Sequence, residues 1–313
     1  MSTWKILIAD KLNQDGVNSL NAAAQVENQP GIPPQDLLHE IHQYDALIVR
    51  GRTKVTADVF AAAPNLKVVG RAGVGVDNID LAAAQSHGIT IVNTPTATTT
   101  AVAEHALALM LATIRFVPRA DSTMKSGQWL KKEFIGSELL GKTLGIIGMG
   151  NIGSGVAQRA AAFGMTVLGY DPFLTPDEIQ QRGAKSVQLE DIYSGADMIS
   201  LHIPLTPETR NLINGQTFAH MKRGVVLICT ARGGLIDETA LVSALENGQV
   251  AAAALDVFSS EPPGLTALVA HPRVIATPHL GAQTKEAQVR AAVNIAEEVL
   301  AALNGDQLRW KIV

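Results

Sequence analysis

The sequence predicts an α/β protein built from two doubly wound parallel-sheet domains, and three observations carry that expectation. Short β-rich runs alternate with longer Ala- and Leu-rich stretches along the chain. The alternation pauses at one long apolar stretch, Ala101–Ile114, and begins afresh at Thr143. Finally, 313 residues amount to about two domains of roughly 150 residues, each large enough to bury its own core.

In chain order, Lys5–Ala9, Ala46–Val49, Leu66–Val69 and Ile89–Val92 read as strands of the first series, with helical material between most of them. The second series is Thr143–Ile147, Thr166–Gly169, Met198–Leu201, Val225–Cys229, Ala251–Val257 and Val274–Thr277. Between the two, Ala101–Ile114 carries small and apolar residues at helical spacing and is expected to end at Pro118. Its apolar richness suits a partner subunit. Thr284–Asn304 is amphipathic, with Asn304-Gly305 as its stop, and Leu308–Val313 reads as a short final strand.

Composition excludes several classes. The charge balance is 25 basic against 29 acidic residues, net −4, with no run of like charge, so no nucleic-acid or membrane-surface partner is expected. The longest apolar run, Ala106–Ala112, is far short of the roughly 20 residues a bilayer demands. Ile6–Ala9 meets Asp10 too soon for the apolar centre of a signal peptide. The single cysteine, Cys229, ends an apolar run and reads as a buried thiol, which suits a reducing cytoplasm. No metal site is expected.

The strongest local signal is Gly148-Met149-Gly150-Asn151-Ile152-Gly153, directly after the strand and opening the helical stretch Ile152–Phe163. Gly148 allows the tight turn, Gly150 lets backbone approach a pyrophosphate, and Gly153 allows close helix–strand packing, while the helix start offers unpaired amides. Asp171, about 20 residues on, can accept hydrogen bonds from an adenosine ribose. No arginine follows in Pro172-Phe173 to hold a ribose phosphate, so NAD is expected rather than NADP. A second loop, Gly73-Val74-Gly75, lacks the third glycine. Beside Arg71, its amides suit a carboxylate; a plain tight turn is the other reading.

Hydride transfer from an alcohol also needs a base for the hydroxyl proton, and histidine suits that task. Ligands of open α/β sheets sit beyond the carboxyl ends of the strands, which selects His202 and His279 from eight histidines. His105, inside a helix, reads as a surface or core residue. Proline and glycine around His279 fix a rigid turn, and Glu261 is placed to stabilise its imidazolium, whereas His202 suits a pocket lining. Arg232 follows Val225–Cys229, where its forked guanidinium can grip a carboxylate. An ordinary surface arginine is the alternative, although Gly233-Gly234 beside it imply that something approaches closely.

Together these residues resemble the D-isomer-specific 2-hydroxyacid dehydrogenase family. The likeness runs through Arg71 to Asn78, Val102-Ala103-Glu104, the glycine fingerprint, Ala231 to Gly234, Ala254 to Phe258, Glu261-Pro262 and Pro278 to Gly281. Within the family, Val49 to Thr53, Trp129 with Lys131-Lys132, and His279 to Ala287 are similar to members that oxidise 3-phospho-D-glycerate at C2. The resemblance implies two Rossmann-like domains with the cleft between them. Residues 1–97 with 284–313 would bind substrate and 98–283 would bind NAD.

It further implies Arg232, Glu261 and His279 as the catalytic set. Gly148, Gly150, Asn151, Ile152, Gly153, Asp171, His202, Ile203, Pro204, Thr230, Ala231, Arg232, Asp256, His279, Leu280, Gly281 and Ala282 would contact NAD, Asp256 near the nicotinamide amide. Arg50, Arg71, Val74, Gly75 and Lys131 would hold a small phosphorylated 2-hydroxy acid, Val74 also touching NAD. Arg52 adds to the same positive charge. A homodimer or homotetramer is implied. The chain ends at Val313, so the serine-binding regulatory domains of many such members are not expected. Reduction of glyoxylate, hydroxypyruvate or another unphosphorylated acid stays open, as does a non-catalytic NAD-sensing scaffold.

Overall fold

The structure is a computed structural model and describes residues 4–313. The chain forms two compact units: one runs to Thr98 and is completed by Ala282–Val313, and the other is Thr99–Gly281.

In the first unit, β1 (Lys5–Ile8), β2 (Gln25–Asn28), β3 (Ala46–Val49), β4 (Val68–Arg71) and β5 (Thr90–Val92) form a parallel sheet in the order β2-β1-β3-β4-β5. Successive residues of a strand point to opposite faces, so an apolar strand can feed two cores at once. Leu7, Leu47, Val49, Val69 and Ile91 pack on one side, and Ile6, Ile8, Ala46, Ile48, Val68 and Val92 on the other. The second face is covered by the helix Lys285–Asn304 through Ile295, Ala296, Val299 and Leu303. Contact is close: a Cβ on Gly70 would lie 2.5 Å from Val299. Thr284 caps the helix start by accepting from the Ala287 amide, and Gly305 ends it at φ 76°, a left-handed position that suits glycine.

In the second unit, β6 (Thr143–Ile147), β7 (Thr166–Tyr170), β8 (Lys185–Ser186), β9 (Met198–Leu201), β10 (Val225–Cys229), β11 (Val250–Leu255) and β12 (Val274–Ala276) form a parallel sheet. Its order is β12-β11-β10-β9-β6-β7-β8. Leu144, Ile146, Val226, Ile228 and Ala254 enter one core, and Ile147, Leu201, Leu227, Cys229 and Leu255 the other. Both sheets are Rossmann-like. Each reverses direction once, at β1/β3 and at β6/β9, and open α/β sheets hold ligands at such switch points.

Three expectations need correction. Pro118 does not end the long helix: Thr99–Ile114 stops at a left-handed Phe116 (φ 55°), and Pro118 lies in the first turn of a new helix, Val117–Lys125, where its missing N–H is harmless. Leu66–Val69 is displaced, because the strand begins at Val68 in register with Ala46. Leu308–Val313 makes only an isolated antiparallel bridge, Lys311 to Val92. Among the described residues, no single helix is long and apolar enough to cross a membrane.

Candidate functional site

In the second unit the glycine turn lies at the β6/β9 switch point. Gly148 has φ 97° and sits against the turn after β9, where a Cβ would come within 2.6 Å of the His202 carbonyl and 2.7 Å of the Ile203 side chain. Gly153 packs on Gly148, whose carbonyl oxygen a Cβ would strike. Gly150 differs: a Cβ there meets nothing within 4 Å, and as N-cap of the helix Asn151–Ala162 it provides no side-chain cap. Asn151 and Ile152 open that helix, and the first-turn amides of a helix have no intrahelical acceptor, which suits a pyrophosphate.

Asp171, just past β7, accepts from the Met149 amide at 2.9 Å and the Phe173 amide at 3.0 Å, one on each oxygen. A carboxylate has about four lone-pair sites, so both oxygens keep capacity for ribose hydroxyls. Along the next strand ends, two buried polar atoms lack a protein partner: His202 Nδ1 after β9 and Thr230 Oγ1 after β10. His202 Nε2 lies 2.8 Å from Ser200 Oγ, and burial pushes the ring down to about 4, so it is neutral at pH 7. Buried orphans beside a glycine cradle fit a polar ligand such as NAD. Pro204 offers its carbonyl to Thr209 Oγ1 at 2.7 Å, fixing the turn beyond.

His279 and Glu261 meet. His279 Nδ1 donates to Glu261 Oε2 at 2.8 Å, the carboxylate being able only to accept. Both side chains are partly open, at 51% and 39% exposure. His279 itself holds a left-handed backbone, φ 53°, which a side-chain-bearing residue adopts only where its surroundings impose it. Its amide is held by the Asp256 carbonyl at 2.9 Å and the Thr277 carbonyl at 3.0 Å.

Arg232 stands in the turn after β10, where its guanidinium reaches the Ala231 carbonyl at 2.6 Å. The close approach implied by the neighbouring glycines is real, but it is made by the protein: a Cβ on Gly233 would run into the Phe258 carbonyl. The turn bearing Arg232 is thereby pressed against the turn bearing Glu261, whose Oε1 accepts from the Phe258 amide at 3.1 Å. Cys229 is buried, and burial pushes its thiol up to about 11, as expected of an inert cysteine.

Asp256, after β11, is 1% exposed. Its Oδ1 receives Thr277 Oγ1 at 2.5 Å, the Leu280 amide at 2.7 Å and His105 Nε2 at 3.2 Å, and its Oδ2 receives the Gly281 amide at 2.8 Å. Burial alone would raise this carboxyl; the hydrogen bonds from His105, Thr277, Leu280 and Gly281 outweigh it and hold Asp256 below the usual carboxylate range. Sequence reasoning set His105 aside as an ordinary helical residue. The only available signal was its place in the helix Thr99–Ile114, which does not reveal a partner so distant in sequence.

In the first unit, the loops after β1 and β3 are locked together. Asp10, 5% exposed, accepts from the amides of Arg50 (2.6 Å) and Thr53 (3.2 Å) and from Thr53 Oγ1 (2.8 Å). Asn78 donates to the Arg50 and Thr53 carbonyls at 3.0 and 2.6 Å. Burial pulls the Arg50 guanidinium below its usual value, and nearby Asp10 opposes that. Arg71 lies over Gly73, taking the space of the missing Cβ, and reaches towards Gly51. Asn93 donates to the Val74 carbonyl at 2.7 Å, steadying the turn that contains Gly75. Arg52 instead packs over Gly31. Lys131 belongs to the second unit, on the exposed turn Lys131–Glu133, and Ala282 begins the returning segment of the first, its carbonyl accepting from Gln288 at 2.8 Å.

Comparison with known proteins narrows the reading. The family model described as D-isomer specific 2-hydroxyacid dehydrogenase, NAD binding domain, matches residues 107–281. The chain is 51% identical over 298 residues to D-3-phosphoglycerate dehydrogenase of Bacillus subtilis, covering 95% of this chain and 56% of that protein. The chain thus spans about half the length of the curated relatives it matches. Among solved structures, a glyoxylate reductase from Paecilomyes thermophila superposes with a TM-score of 0.92 at 33% identity, covering 100% of this chain and 99% of that one. A D-lactate dehydrogenase from Aquifex aeolicus, complexed with NAD and lactic acid, gives 0.84 at 30% identity over 96% of each chain. The matched model reaches from the middle of the long helix to the turn that holds His279, and the structural likeness extends over both sheets: the chain belongs to the D-isomer specific 2-hydroxyacid dehydrogenase family.

Proposed function

We propose that this chain oxidises 3-phospho-D-glycerate at C2 to 3-phosphohydroxypyruvate. The observation that carries the reading is the His279–Glu261 pair, set on the same sheet as the glycine cradle. Glu261 engages Nδ1, which leaves Nε2 for the substrate hydroxyl. His279 takes the hydroxyl proton there as the C2–H electron pair departs, and the carboxylate of Glu261 stabilises the imidazolium that results. NAD, when bound, supplies the acceptor for that hydride.

The helix start at Asn151-Ile152, with Gly148, Gly150 and Gly153, would hold the pyrophosphate, and Asp171 the ribose. His202 to Pro204, Thr230-Ala231, Asp256 and the turn Leu280 to Ala282 would line the remainder. Arg232 would fork onto the C1 carboxylate and the C2 oxygen. Arg50, Arg71, the Val74-Gly75 turn and Lys131 are assigned to the remaining anionic groups. The relatives named D-3-phosphoglycerate dehydrogenase, 44 to 51% identical, support the phosphorylated substrate. The likeness to a glyoxylate reductase favours a second reading, reduction of an unphosphorylated 2-oxo acid.

Absorbance at the NADH band, with NAD and 3-phosphoglycerate set against D-glycerate and D-lactate, tests both. Preference for the phosphorylated acid supports the first; turnover confined to unphosphorylated acids replaces it with the second. We also propose a homodimer or homotetramer built on the long helix and its surroundings, where Trp129, Ile135 and Leu140 are 76, 84 and 71% exposed. Sedimentation at the mass of one chain would remove that assignment.

A further inference from the structure

We propose that His105 is a positioning residue for the His279 turn, acting through Asp256 and Thr277. The inference rests on His279 being the base, as read above.

His105 projects from the long helix Thr99–Ile114, and its Nε2 faces two oxygens, Asp256 Oδ1 at 3.2 Å and Thr277 Oγ1 at 3.3 Å. Asp256 is a carboxylate and can only accept. The Thr277 hydroxyl already spends its hydrogen on Asp256 Oδ1. Both oxygens are therefore acceptors towards the ring, so Nε2 carries the hydrogen and shares it between them. Tautomer and orientation of His105 are thus fixed by its surroundings.

What this donor holds matters for the turn beyond. The same Asp256 carboxylate takes the Leu280 and Gly281 amides at 2.7 and 2.8 Å, the two residues after His279. The Asp256 and Thr277 carbonyls take the His279 amide. A left-handed backbone at a residue with a Cβ persists only where neighbours over-determine it, and here the determining groups converge on one buried carboxylate. Oδ1 receives three donors and Oδ2 one. His105 is the donor that comes from outside the strand ends themselves, and it ties this carboxylate to a helix packed along the sheet. Without it, Asp256 and Thr277 can rotate, and the His279 ring loses the orientation that Glu261 alone does not impose.

The test compares His105→Leu, which removes the donor, with His105→Gln, whose amide nitrogen is the same number of bonds from the backbone as Nε2. Two readouts are taken on the full chain: steady-state kinetics, and hydrogen–deuterium exchange of the peptide covering 277–282. His105→Leu should lower kcat by about tenfold or more, with KM for the acid changed by less than about threefold, and should speed exchange of the Leu280 and Gly281 amides by about tenfold. His105→Gln should restore both to within about threefold of the parent. Exchange in the β6 strand and the thermal midpoint report on the fold as a whole and should not move. Unchanged exchange at 277–282 in His105→Leu, kcat within twofold of the parent, or Gln performing no better than Leu each overturns the proposal. His279→Ala is measured alongside: full turnover there refutes the assignment of the base, whereas an inactive His279→Ala with an intact His105→Leu refutes only the role of His105.

Discussion

His279 Nδ1 donates to Glu261 Oε2 across 2.8 Å, although the two side chains stand on loops that follow different strands. On the proposed reading, the Glu261 contact occupies Nδ1 and leaves Nε2 to take the proton. His279→Ala should therefore lower kcat by about 100- to 10,000-fold, the usual worth of a positioned acid–base group, while NAD binds nearly as before. Glu261→Gln retains an oxygen that can accept from Nδ1 but removes the charge, and its kcat should fall by about tenfold. Turnover assays paired with calorimetric titration of NAD check both. Loss of NAD binding in step with turnover would give His279 a structural role instead.

Gly150→Ala separates folding from cofactor binding. A Cβ at this position meets no atom within 4 Å, so the cost is confined to the helix N-cap, about 1 kcal/mol or less. The methyl would stand in the space the pyrophosphate must enter, so NAD affinity should drop by about tenfold or more. Gly153→Ala is the contrasting variant, since its Cβ strikes the Gly148 carbonyl and should lower the thermal midpoint itself. Thermal melts with and without NAD distinguish the two; equal behaviour would mean that neither glycine faces the cofactor.

Arg50→Glu tests the phosphate preference. The loop that carries Arg50 is clamped by Asp10 and Asn78, so the reversed charge projects from the same backbone position on a shorter side chain. KM for 3-phosphoglycerate should rise by more than about tenfold, and that for D-glycerate much less, because only the former presents a phosphate dianion. Equal effects on the two acids would take Arg50 out of phosphate recognition.

The buried His202 ring makes stability depend on pH. Its value falls from 6.5 to about 4 on folding, because burial penalises the charged form. The unfolded chain therefore binds this proton first as pH drops. The stabilisation is complete above pH 6.5 and is lost progressively down to about pH 4, reaching up to about 3 kcal/mol. His202→Gln should flatten that part of the profile. Chemical unfolding of parent and variant at pH 7.5, 6 and 5 provides the check, and parallel profiles would count against a neutral buried ring.

Much of this architecture is legible in the sequence because its strands are buried on both faces. Runs such as Ala46–Val49 and Val225–Cys229 are apolar throughout, and they emerge with the predicted bounds. The edge strands are not legible. Gln25–Asn28 is polar and largely exposed, and Lys185–Ser186 spans two residues, so pairing rather than composition makes each a strand. The glycine turn is a local signal, written within six neighbouring positions. His105 is the opposite case: its partner is 151 positions away in sequence, and no spacing rule joins a helix interior to a strand end at that range. Pro118 is misread for a related reason, since proline marks the first turn of a helix as readily as the end of the one before.

The first unit encloses the second in sequence, and this bears on the order of synthesis. Ile6, Ile8, Ile48 and Val68 are made early, yet the long helix that completes their core, Lys285–Asn304, is translated only after the whole of Thr99–Gly281. A growing chain must therefore carry an apolar sheet face covered only in part, by Val17 and Leu20 of the early helix Gln14–Asn21, through most of its time on the ribosome, while the enclosed unit can fold as soon as it emerges. Chains arrested just before Lys285 should capture a trigger chaperone or an apolar dye, and chains extended past Gly305 should release it. The late helix acts as the latch that ends this exposure.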